Sequence, residues 1–562
     1  MEPIAKDCEH GILPADALRS FAEALRASAA ALYQEGSVEV SFETPRRPEF
    51  GEFATNAAFA LVRAARRGPQ DVARALVDDL AARAPYIEKL FFSIEPIAGF
   101  INVRLRPEIW QAEVARILRD GESFARASHR GARISLEFGS ANPTGPLVVV
   151  QGRALSIGDT LARTMRLRGY DVFVEWIIND TGAQVETLGR SVYARYRQLD
   201  DPAYPFPDDG YPADYIAVIA RALRDREGDR YVKVSEEEAI AACGDFARDE
   251  LVAQQQESAK RFRVQYDLWQ SERELHESGR VAAAIERLRE LGLTYEEGGA
   301  TFFRATQFDD DKDRVLIRAD GRPTYYGADV AYHYEKLRRA DRVIDILGPD
   351  HHGYIGRLRG LAAALGFPEH LEVLISQQVT LMRGSEQVAM SKRAGQVVTL
   401  DELVDEVGVD AARFFFAMLA TDTPLTFDLQ LAAEQSNENP VYYVQYGYAR
   451  IASVLRKADP ADVASARGAN LRTLVHDAEI ALARRLAELP AVAQNVVDQL
   501  ASHRLPRYAR DVASDFHQFY TECRILAEEP SVRHARLALC LATQRVLALV
   551  LDLLGVSAPE TM

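Results

Sequence analysis

The alternation of hydrophobic and polar positions divides the chain into four regions, and the first covers residues 1–110. Two stretches in it, ADALRSFAEALRASAAALY and DVARALVDDLAARA, place apolar residues at the spacing of amphipathic helices. Two others, VEVSFE and IEPIAGFINVRL, alternate in the manner of strands. This pattern predicts a small α+β module that closes with a strand ending at Leu105.

The second region, residues 125–385, carries the pattern of a parallel sheet. RISLEF predicts a strand, QGRALSIGDTLARTMRLRG a helix with a glycine at its C-terminal end, and YDVFVEWIIND a second strand. A strand, helix and strand in this order form the βαβ unit of a doubly wound sheet. A mostly helical, charge-rich insert is expected at about 190–300, after which RVLIRAD, TYYGADVAY and DRVIDILG predict further strands.

Towards the C-terminus the pattern becomes helical. Stretches such as YYVQYGYARIASVLR, RYARDVASDFHQFYTECRILAE and RHARLALCLATQRVLALVLDLLG keep a period of about 3.6 residues. The expected fold class is therefore α/β, with an N-terminal α+β module and a C-terminal all-α bundle. A chain of 562 residues is long enough for three or four such domains.

Composition and charge narrow the class of protein. Hydrophobic residues make up 48% and charged residues 27%, which is typical of a soluble globular protein. No apolar run is long enough to span a bilayer and the N-terminus lacks the layout of a signal peptide, so we expect a cytoplasmic protein without a membrane partner. The net charge of −16 argues against indiscriminate nucleic-acid binding, although a local basic face could still dock a polyanion.

The cysteines do not indicate a metal site. Cys8, Cys243, Cys523 and Cys540 are far apart and make no paired ligand spacing, so the sequence predicts neither a structural metal nor a disulfide framework. We interpret them as small buried hydrophobic residues.

Polar residues follow three of the predicted strands. Because the carboxyl ends of parallel strands meet at one edge of a sheet, residues 137–145, 179–182 and 348–353 are expected to surround one cavity. A helix beginning after Pro146 would point free N–H groups at an anion bound there. The simpler alternative for this Gly-Pro loop is an ordinary strand-to-helix turn.

The motifs of the chain resemble those of the arginyl-tRNA synthetase family in its bacterial form. SANPTGP, NDTGAQ, DDDKDRVLIRADGRPTYYGADVAYH, GPDHHGY, MSKRAG, NENPVYYVQYGYARI and LLGVSAPETM occur in the family's order. The resemblance implies an N-terminal tRNA-elbow-binding module (1–110), a class I Rossmann catalytic domain with an insertion (125–385), a signature loop and stem (386–434), and a helical anticodon-binding domain (435–562).

The resemblance also implies a two-step reaction. ATP and L-arginine give arginyl-adenylate, and the arginyl group then passes to the terminal ribose of arginine tRNA. The implied partners are L-arginine, ATP and tRNA, with Mg²⁺ as a counter-ion of ATP, and family members typically need tRNA bound before the first step. We expect a monomer.

The family's arginine-binding residues can be placed on this chain one by one. The resemblance implies six residues for this role, namely Glu137, Asn142, Tyr325, Asp329, His351 and His352. An aspartate facing a guanidinium makes charge-assisted hydrogen bonds in a fork, which distinguishes arginine from lysine. Without the family context, Asp329 would be a solvated surface acid, Tyr325 a core aromatic and the two histidines a hydrogen-bonded turn.

The ATP-binding and tRNA-binding residues follow from the same motifs. For ATP the resemblance implies Thr144, Gly145, Val148, Val150, Gln151, Gly152, Met390 and Lys392, with Lys392, Ser391 and Gln151 as the catalytic residues. For tRNA it implies Asn56 and Arg46 in the N-terminal module, where arginines suit phosphates. In the bundle, Tyr443 and Tyr446 could stack on anticodon bases, or one or both could belong to the helix core.

Both signatures of the ATP site depart from the family pattern. The family's His-x-Gly-His occurs here as Val148-Val149-Val150-Gln151, and the first lysine of its Lys-Met-Ser-Lys loop is Ala389. Val148 donates no hydrogen bond, Gln151 donates only a neutral one, and Val150 puts a β-branched side chain where a base would pack. Each lost donor costs on the order of 10²–10³ in rate.

Two hypotheses about function follow from these departures. The first is a working arginine–tRNA ligase in which Lys392, Arg393, Gln151 and the helix N-terminus bind the phosphates. The second is a synthetase-derived paralog with impaired adenylation, which acts by binding arginine or tRNA or in another arginine-dependent reaction.

Overall fold

A computed structural model describes residues 13–45, 47–388 and 398–562 of the protein. None of the helices in these ranges combines the length and the apolar composition that crossing a bilayer requires. Of the four cysteines, the three that fall within the described ranges, Cys243, Cys523 and Cys540, are buried free thiols as predicted.

The N-terminal module consists of four helices and a small antiparallel sheet. Its elements are α1 (Pro14–Tyr33), β1 (Phe53–Thr55), α2 (Ala57–Ala65), α3 (Pro69–Arg83), β2 (Phe91–Ile97), β3 (Phe100–Leu105) and α4 (Pro107–Asp120). The strands are ordered β1-β3-β2, and the closing strand at Leu105 is confirmed.

The predicted strand VEVSFE is wrong, although its alternating pattern has a physical basis. Only Glu43 pairs with another strand, through an isolated bridge to Ala54. Val38 and Val40 point into the hydrophobic core of the module as extended chain. Alternation shows which side chains are buried, but it does not supply a neighbouring strand.

The second domain is built on a parallel sheet. Its elements are β4 (Arg133–Phe138), α5 (Val149–Leu167), β5 (Asp171–Ile178), α6 (Ala183–Gln198), α7 (Asp214–Glu227), α8 (Glu236–Arg261), β6 (Leu268–Ser271), α9 (Glu272–Glu277), α10 (Arg280–Glu290), β7 (Thr294–Glu297), β8 (Ala300–Phe303), β9 (Arg314–Ile317), α11 (Tyr325–Arg339), β10 (Arg342–Leu347), α12 (Ile355–Ala364) and β11 (Leu371–Ile375). The five-stranded sheet has the order β11-β10-β4-β5-β6, and all of its neighbouring strands run parallel. The strand order reverses between β4 and β10, where a ligand crevice is expected.

Three predictions for this domain need correction. TYYGADVAY is the first part of α11 and not a strand, because the Thr324 hydroxyl accepts a hydrogen bond from the Gly327 N–H and caps a helix there. RVLIRAD forms β9, which belongs to a separate antiparallel sheet with β7 and β8. Within the range expected to be a mostly helical insert, β6 pairs with β5 as the edge strand of the main sheet.

The stem and the C-terminal bundle follow. The stem contains β12 (Val379–Arg383), β13 (Glu386–Gln387), α13 (Leu400–Val407), α14 (Val409–Ala417), β14 (Leu425–Asp428) and α15 (Leu429–Ala433). The bundle contains α16 (Pro440–Lys457), α17 (Pro460–Ala466), α18 (Asp477–Ala487), α19 (Leu489–Gln499), α20 (Arg504–Glu522) and α21 (Pro530–Leu553), which confirms the predicted helical periodicity.

Buried polar contacts join these parts across long stretches of sequence. Arg413 of α14 is fully buried and donates to the Asp159 carboxylate at 2.5 Å and to the carbonyls of Phe262 and Leu554 at 2.8 Å each. It therefore fixes the stem to α5, to the end of α8 and to the chain's C-terminal segment. At the other end of the bundle, Gln111 of α4 donates to the Leu474 carbonyl at 2.9 Å and ties the N-terminal module to it.

Candidate active site

A cavity of about 2110 Å³ lies at the carboxyl ends of the parallel strands. Residues of the segments after β4, β5 and β10 line it together, so the predicted meeting of these three strand ends is confirmed. The cavity is larger than the 300–1,000 Å³ of a typical small-molecule pocket. It therefore has room for two small substrates, or for one of them and the end of a larger partner.

One end of the cavity carries two carboxyl groups with raised pKa values. Burial raises the pKa of Asp329 to about 7, with Glu137 adding to the shift and His333 opposing it. Burial also raises the pKa of Glu272 to about 7, against a hydrogen bond from Thr181 and with help from the charge of Asp329. A cation bound beside both groups would favour their ionised forms and lower their pKa values. It would then be attracted by two carboxylates.

Tyr325 and Asp329 stand one turn apart at the start of α11, and both line the cavity. Tyr325 is 49% exposed, so it is not a core aromatic. Asp329 is not a solvated surface acid, since burial is the main cause of its raised pKa. The four-residue spacing brings the two side chains to one face because the segment is helical.

Glu272 was missed by the sequence analysis. It is the first residue of α9, directly after the edge strand β6, and only 4% of it is exposed. The feature that could have revealed it is the helix-capping Ser271 that directly precedes it at the end of the short strand LWQS. That position faces the cavity only because β6 belongs to the main sheet.

Beneath this acidic end lies a buried ionic network. The Lys336 ammonium is fully buried and donates to Glu137 at 2.7 Å and to Asp345. His333 contacts Asp345 at 3.1 Å through Nε2 and the Asp329 carbonyl at 2.8 Å through Nδ1. Burial opposes the charge on Lys336, but the Asp345 and Glu137 carboxylates outweigh it and raise the pKa of the ammonium.

Glu137 is therefore already engaged within the protein. One carboxylate oxygen accepts from Lys336, and the other accepts from the Ser140 hydroxyl at 2.9 Å. It still borders the cavity, but any contact to a substrate ammonium would share these oxygens.

The remaining residues expected for arginine lie at the rim. The Asn142 side chain is exposed and its Oδ1 accepts from Asn179 at 3.0 Å, so two strand ends meet there. His351 lines the cavity, with Nδ1 at 3.1 Å from an Asp350 oxygen. The side chain of His352 lies outside the described part of the structure.

The other end of the cavity is formed by the loop 142–145 and the start of α5. Thr144, Gly145, Val148, Val150 and Gln151 all line it. The Val148 N–H donates to the Gln151 side-chain oxygen at 3.0 Å, so this glutamine caps its own helix. The Leu400 N–H donates to the Leu147 carbonyl at 2.8 Å, which docks the start of α13 beside the same turn.

Gly152 is not among the residues that line the cavity. A Cβ atom at this position would lie 2.6 Å from the Leu400 side chain and 3.1 Å from that of Phe416. The glycine is therefore explained by close packing of α5 against the stem. Met390, Ser391 and Lys392, together with Ala389, lie outside the described residues, and so does Arg46.

A second cavity, of about 510 Å³, lies in the C-terminal bundle. Tyr443 and Tyr446 line it with Tyr442, Arg450 and His517. Both ring nitrogens of His517 are buried without a hydrogen-bond partner in the described structure, and burial lowers the pKa of this histidine to about 4. Tyr443 also packs against the hydrophobic core, whereas Asn56, at the other end of the molecule, is exposed before α2.

These features define a class of protein. A parallel sheet with a polar cavity at its strand ends, joined by a stem to a helical bundle, is the architecture of the class I aminoacyl-tRNA synthetases. The structure is similar to the arginyl-tRNA synthetase of Thermus thermophilus, with a TM-score of 0.74 at 24% identity over 97% of this chain and 100% of that one. A methionyl-tRNA synthetase of Mycobacterium tuberculosis shares the fold with a TM-score of 0.50 at 14% identity, over 75% and 91% of the chains.

Sequence comparison gives the particular family. Three family models match, namely the arginyl tRNA synthetase N terminal domain at residues 18–105, the class I (R) tRNA synthetase catalytic domain at 225–418 and the DALR anticodon binding domain at 444–562. The chain is 43% identical to the arginine–tRNA ligase of Carboxydothermus hydrogenoformans over 96% of its length and 97% of that protein. It is 43% identical to that of Moorella thermoacetica over 98% of both. The chain belongs to the arginyl-tRNA synthetase family.

Proposed function

We propose that the protein joins L-arginine to arginine tRNA at the expense of ATP. The observation that carries this proposal is the pair of carboxyl groups, Asp329 and Glu272, whose pKa values rise to about 7 at one end of the strand-end cavity. A guanidinium group presents donors in a planar fork and never loses its charge, so it matches two such carboxylates better than the point charge of lysine does.

The amino acid then occupies the acidic end of the cavity. Asp329 and Glu272 bind the guanidinium, with the Tyr325 ring beside it. We assign Asn142 and Glu137 to the ammonium end of arginine. His351, which lines the cavity after β10, and His352 are assigned to the same substrate by their motif. Lys336 pairs with Glu137 and Asp345 beneath the pocket but not with Asp329 or Glu272, whose raised pKa values show that burial outweighs the cations near them.

ATP occupies the opposite end, against Thr144, Gly145, Val148, Val150 and Gln151. The N-terminus of α5 stabilises its phosphates, since free N–H groups and the helix dipole favour an anion there. Mg²⁺ enters with the nucleotide as a counter-ion, and Met390, Ser391 and Lys392 are assigned to ATP because they match the family's signature motif. A carboxylate oxygen of arginine attacks the α-phosphorus and releases pyrophosphate; a hydroxyl of the terminal tRNA ribose then attacks the carbonyl carbon and releases AMP.

The two ends of the molecule bind tRNA in this proposal. Asn56 and Arg46 contact the tRNA elbow from the N-terminal module. Tyr446, with Tyr443 beside it, offers a ring on which an unpaired anticodon base stacks in the bundle cavity. We expect the protein to act as a monomer in the cytoplasm.

Both hypotheses about adenylation share this binding arrangement. The relatives named above are all arginine–tRNA ligases, which favours the working enzyme. Impaired adenylation stays a prediction that rests on Val148, Val150, Gln151 and Ala389.

The direct test combines binding with turnover. Calorimetry should detect L-arginine but not L-lysine at equal concentration, and the full chain should charge arginine tRNA in the presence of ATP. Failure to bind arginine would overturn the proposal. Binding without charging would retain the arginine site and select the impaired paralog.

A further inference from the structure

We propose that the helical insertion shapes the nucleotide end of the active site, with Gln255 of α8 and Tyr215 of α7 as positioning residues for the loop 142–145. This inference rests on the proposed function, because it assigns that loop to ATP. It gives the insertion a role in the site, for which the sequence offered no interpretation.

Gln255 holds two carbonyl groups of the loop at once. Its Nε2 donates to the Asn142 carbonyl at 3.0 Å and to the Gly145 carbonyl at 2.8 Å, and the residue is only 1% exposed. Its Oε1 is buried without a partner in the described structure. Turning the amide round would set that oxygen against two carbonyl oxygens, so the two loop contacts determine its orientation.

Tyr215 holds the carbonyl between these two. Its hydroxyl donates to the Thr144 carbonyl at 2.6 Å. Burial raises the pKa of Tyr215 to about 12, so the hydroxyl keeps its proton at neutral pH. A Cβ atom on Gly145 would lie only 3.2 Å from the tyrosine oxygen, which means that the glycine allows the loop to approach the insertion closely.

These three contacts fix the direction in which the peptide groups of the loop point. Pro143 and Pro146 have no N–H, so the Gly145 N–H is one of the few donors that the loop can offer. In a trans peptide the C=O and N–H groups point in opposite directions, and the Thr144 carbonyl points at Tyr215. The Gly145 N–H therefore faces away from the insertion, and it has no acceptor among the described residues.

Helix α8, which carries Gln255, is itself fixed to α13. One turn further along α8, the Ser258 hydroxyl donates to Asp401 of α13 at 2.5 Å, and Arg261 pairs with the same carboxylate at 3.3 Å. The helix thus bridges from the loop to the helix that follows the signature loop. In a site where Val148 and Gln151 bring no positive charge, oriented backbone donors matter more for an anionic ligand.

The test uses the full chain with Gln255→Met, which keeps the side-chain volume but removes the donor, and with Tyr215→Phe. Calorimetry measures ATP and L-arginine separately for each variant, and thermal melts check the fold. The matched control is Gln256→Met, since Gln256 is the exposed neighbour on the same helix. We expect affinity for ATP to fall about 10-fold in each variant, as suits the loss of a buried hydrogen-bond donor. Arginine affinity should stay within about 2-fold of the parent in Tyr215→Phe. In Gln255→Met it should fall less than ATP affinity does, since Gln255 also holds the carbonyl of Asn142.

Each other outcome has a defined meaning. Unchanged ATP affinity in both variants, or equal loss of ATP and arginine at an unchanged melting temperature, would overturn the positioning role. Failure of the parent chain to bind ATP while it binds arginine would also overturn it, and would leave the arginine site standing. If Gln255→Met unfolds, Tyr215→Phe decides, because it removes a single oxygen from a residue that is not fully buried.

Discussion

The two ends of the strand-end cavity offer a charged ligand different kinds of group. At the proposed arginine end, these are the side-chain carboxyl groups of Asp329 and Glu272, whose ionisation burial has made costly. At the nucleotide end, the described residues offer Val148, Val150 and a glutamine turned back on its own helix, so backbone N–H groups are left to meet the phosphates. A buried charge gives strong and selective binding to one partner, whereas a backbone donor is weaker but independent of side-chain identity. Substitutions at the arginine end should therefore change ligand affinity more than substitutions at the nucleotide end do.

The largest effect is expected at Asp329. Asp329→Ala should weaken L-arginine binding by roughly 2–5 kcal/mol in calorimetry, because the guanidinium would be desolvated without its anion. Asp320→Ala removes an exposed acid in the turn before α11 and should leave binding unchanged. Equal affinity of the parent protein for lysine and arginine would contradict this assignment.

The next largest effect is expected from restoring the family residues in the two altered signatures of the ATP site. If adenylation is impaired, Val148→His, Val150→Gly and Gln151→His combined with Ala389→Lys should raise tRNA-dependent ATP–pyrophosphate exchange by at least about 10², since each restored donor is worth 10²–10³. The four changes belong together because residues that act as a unit are not additive. Exchange by the unmodified chain at roughly 1–10³ per second would rule out impairment and show that backbone donors and the signature loop suffice.

Arginine affinity should also depend on pH. The pKa values of Asp329 and Glu272 lie near 7 in the free protein, so both carboxyl groups are largely protonated at pH 6. A guanidinium binds their ionised forms, so affinity should rise with pH up to about 8, by at most about tenfold per unit for each proton released. Calorimetry in two buffers of different ionisation enthalpy would detect the released protons, and a pH-independent affinity would contradict the assignment of these two carboxyl groups to the guanidinium.

The same raised pKa values mean that these groups destabilise the fold as pH rises from about 4 through 7. Asp329→Asn should therefore raise the melting temperature at pH 8.

A smaller effect is expected in the bundle cavity. Tyr446→Ala should weaken binding of arginine tRNA by roughly 1–3 kcal/mol, the range of one base stacked on an aromatic ring. Tyr448→Ala, on the same helix but outside that cavity, is the control, with melts to confirm the fold. Filter binding across a salt series measures both, and equal affinity for unrelated tRNAs would exclude a specific anticodon site.

The smallest effect is expected from Gln151→Ala. Loss of the cap at Val148 should lower the free energy of unfolding by roughly 0.5–1 kcal/mol, measured by denaturant titration. If exchange fell by 10² or more in this variant, Gln151 would contact the reacting phosphates and would not act only as a cap.

Much of the fold was predictable because local and tertiary preferences agree. The strand RISLEF, the helix after it and the strand YDVFVEWIIND were all confirmed, since their buried faces repeat with the period of the element itself. The TYYGADVAY segment was predicted wrongly because its aromatic and β-branched residues favour a strand, while the capping hydroxyl of Thr324 and burial on the sheet made it helical.

Some residues of the candidate site could likewise be predicted from the sequence, and others could not. Tyr325 and Asp329 could be found from a motif, and the meeting of three strand ends could be found from the rule for parallel sheets. Glu272 could not, because its proposed role depends on β6 completing the sheet, and β6 is separated from β5 by the mostly helical residues 179–267. Gly152 lies beside the altered signature in sequence, but a Cβ atom there would contact Leu400 and Phe416, so packing against the stem already explains this glycine.

The sequence by itself therefore determined the βαβ unit at the start of the sheet, the helical C-terminal part, the family and the chemical types at the strand ends, because these depend on residues close together in the chain. Only the tertiary structure decided which carboxyl groups the buried lysine neutralises and which loop carbonyls the insertion holds. Lys336 satisfies Glu137 and Asp345 but not Asp329 or Glu272, and Gln255 reaches a loop more than one hundred residues before it. Burial and pairing are properties of the packed chain, and they set which charges remain available to a ligand.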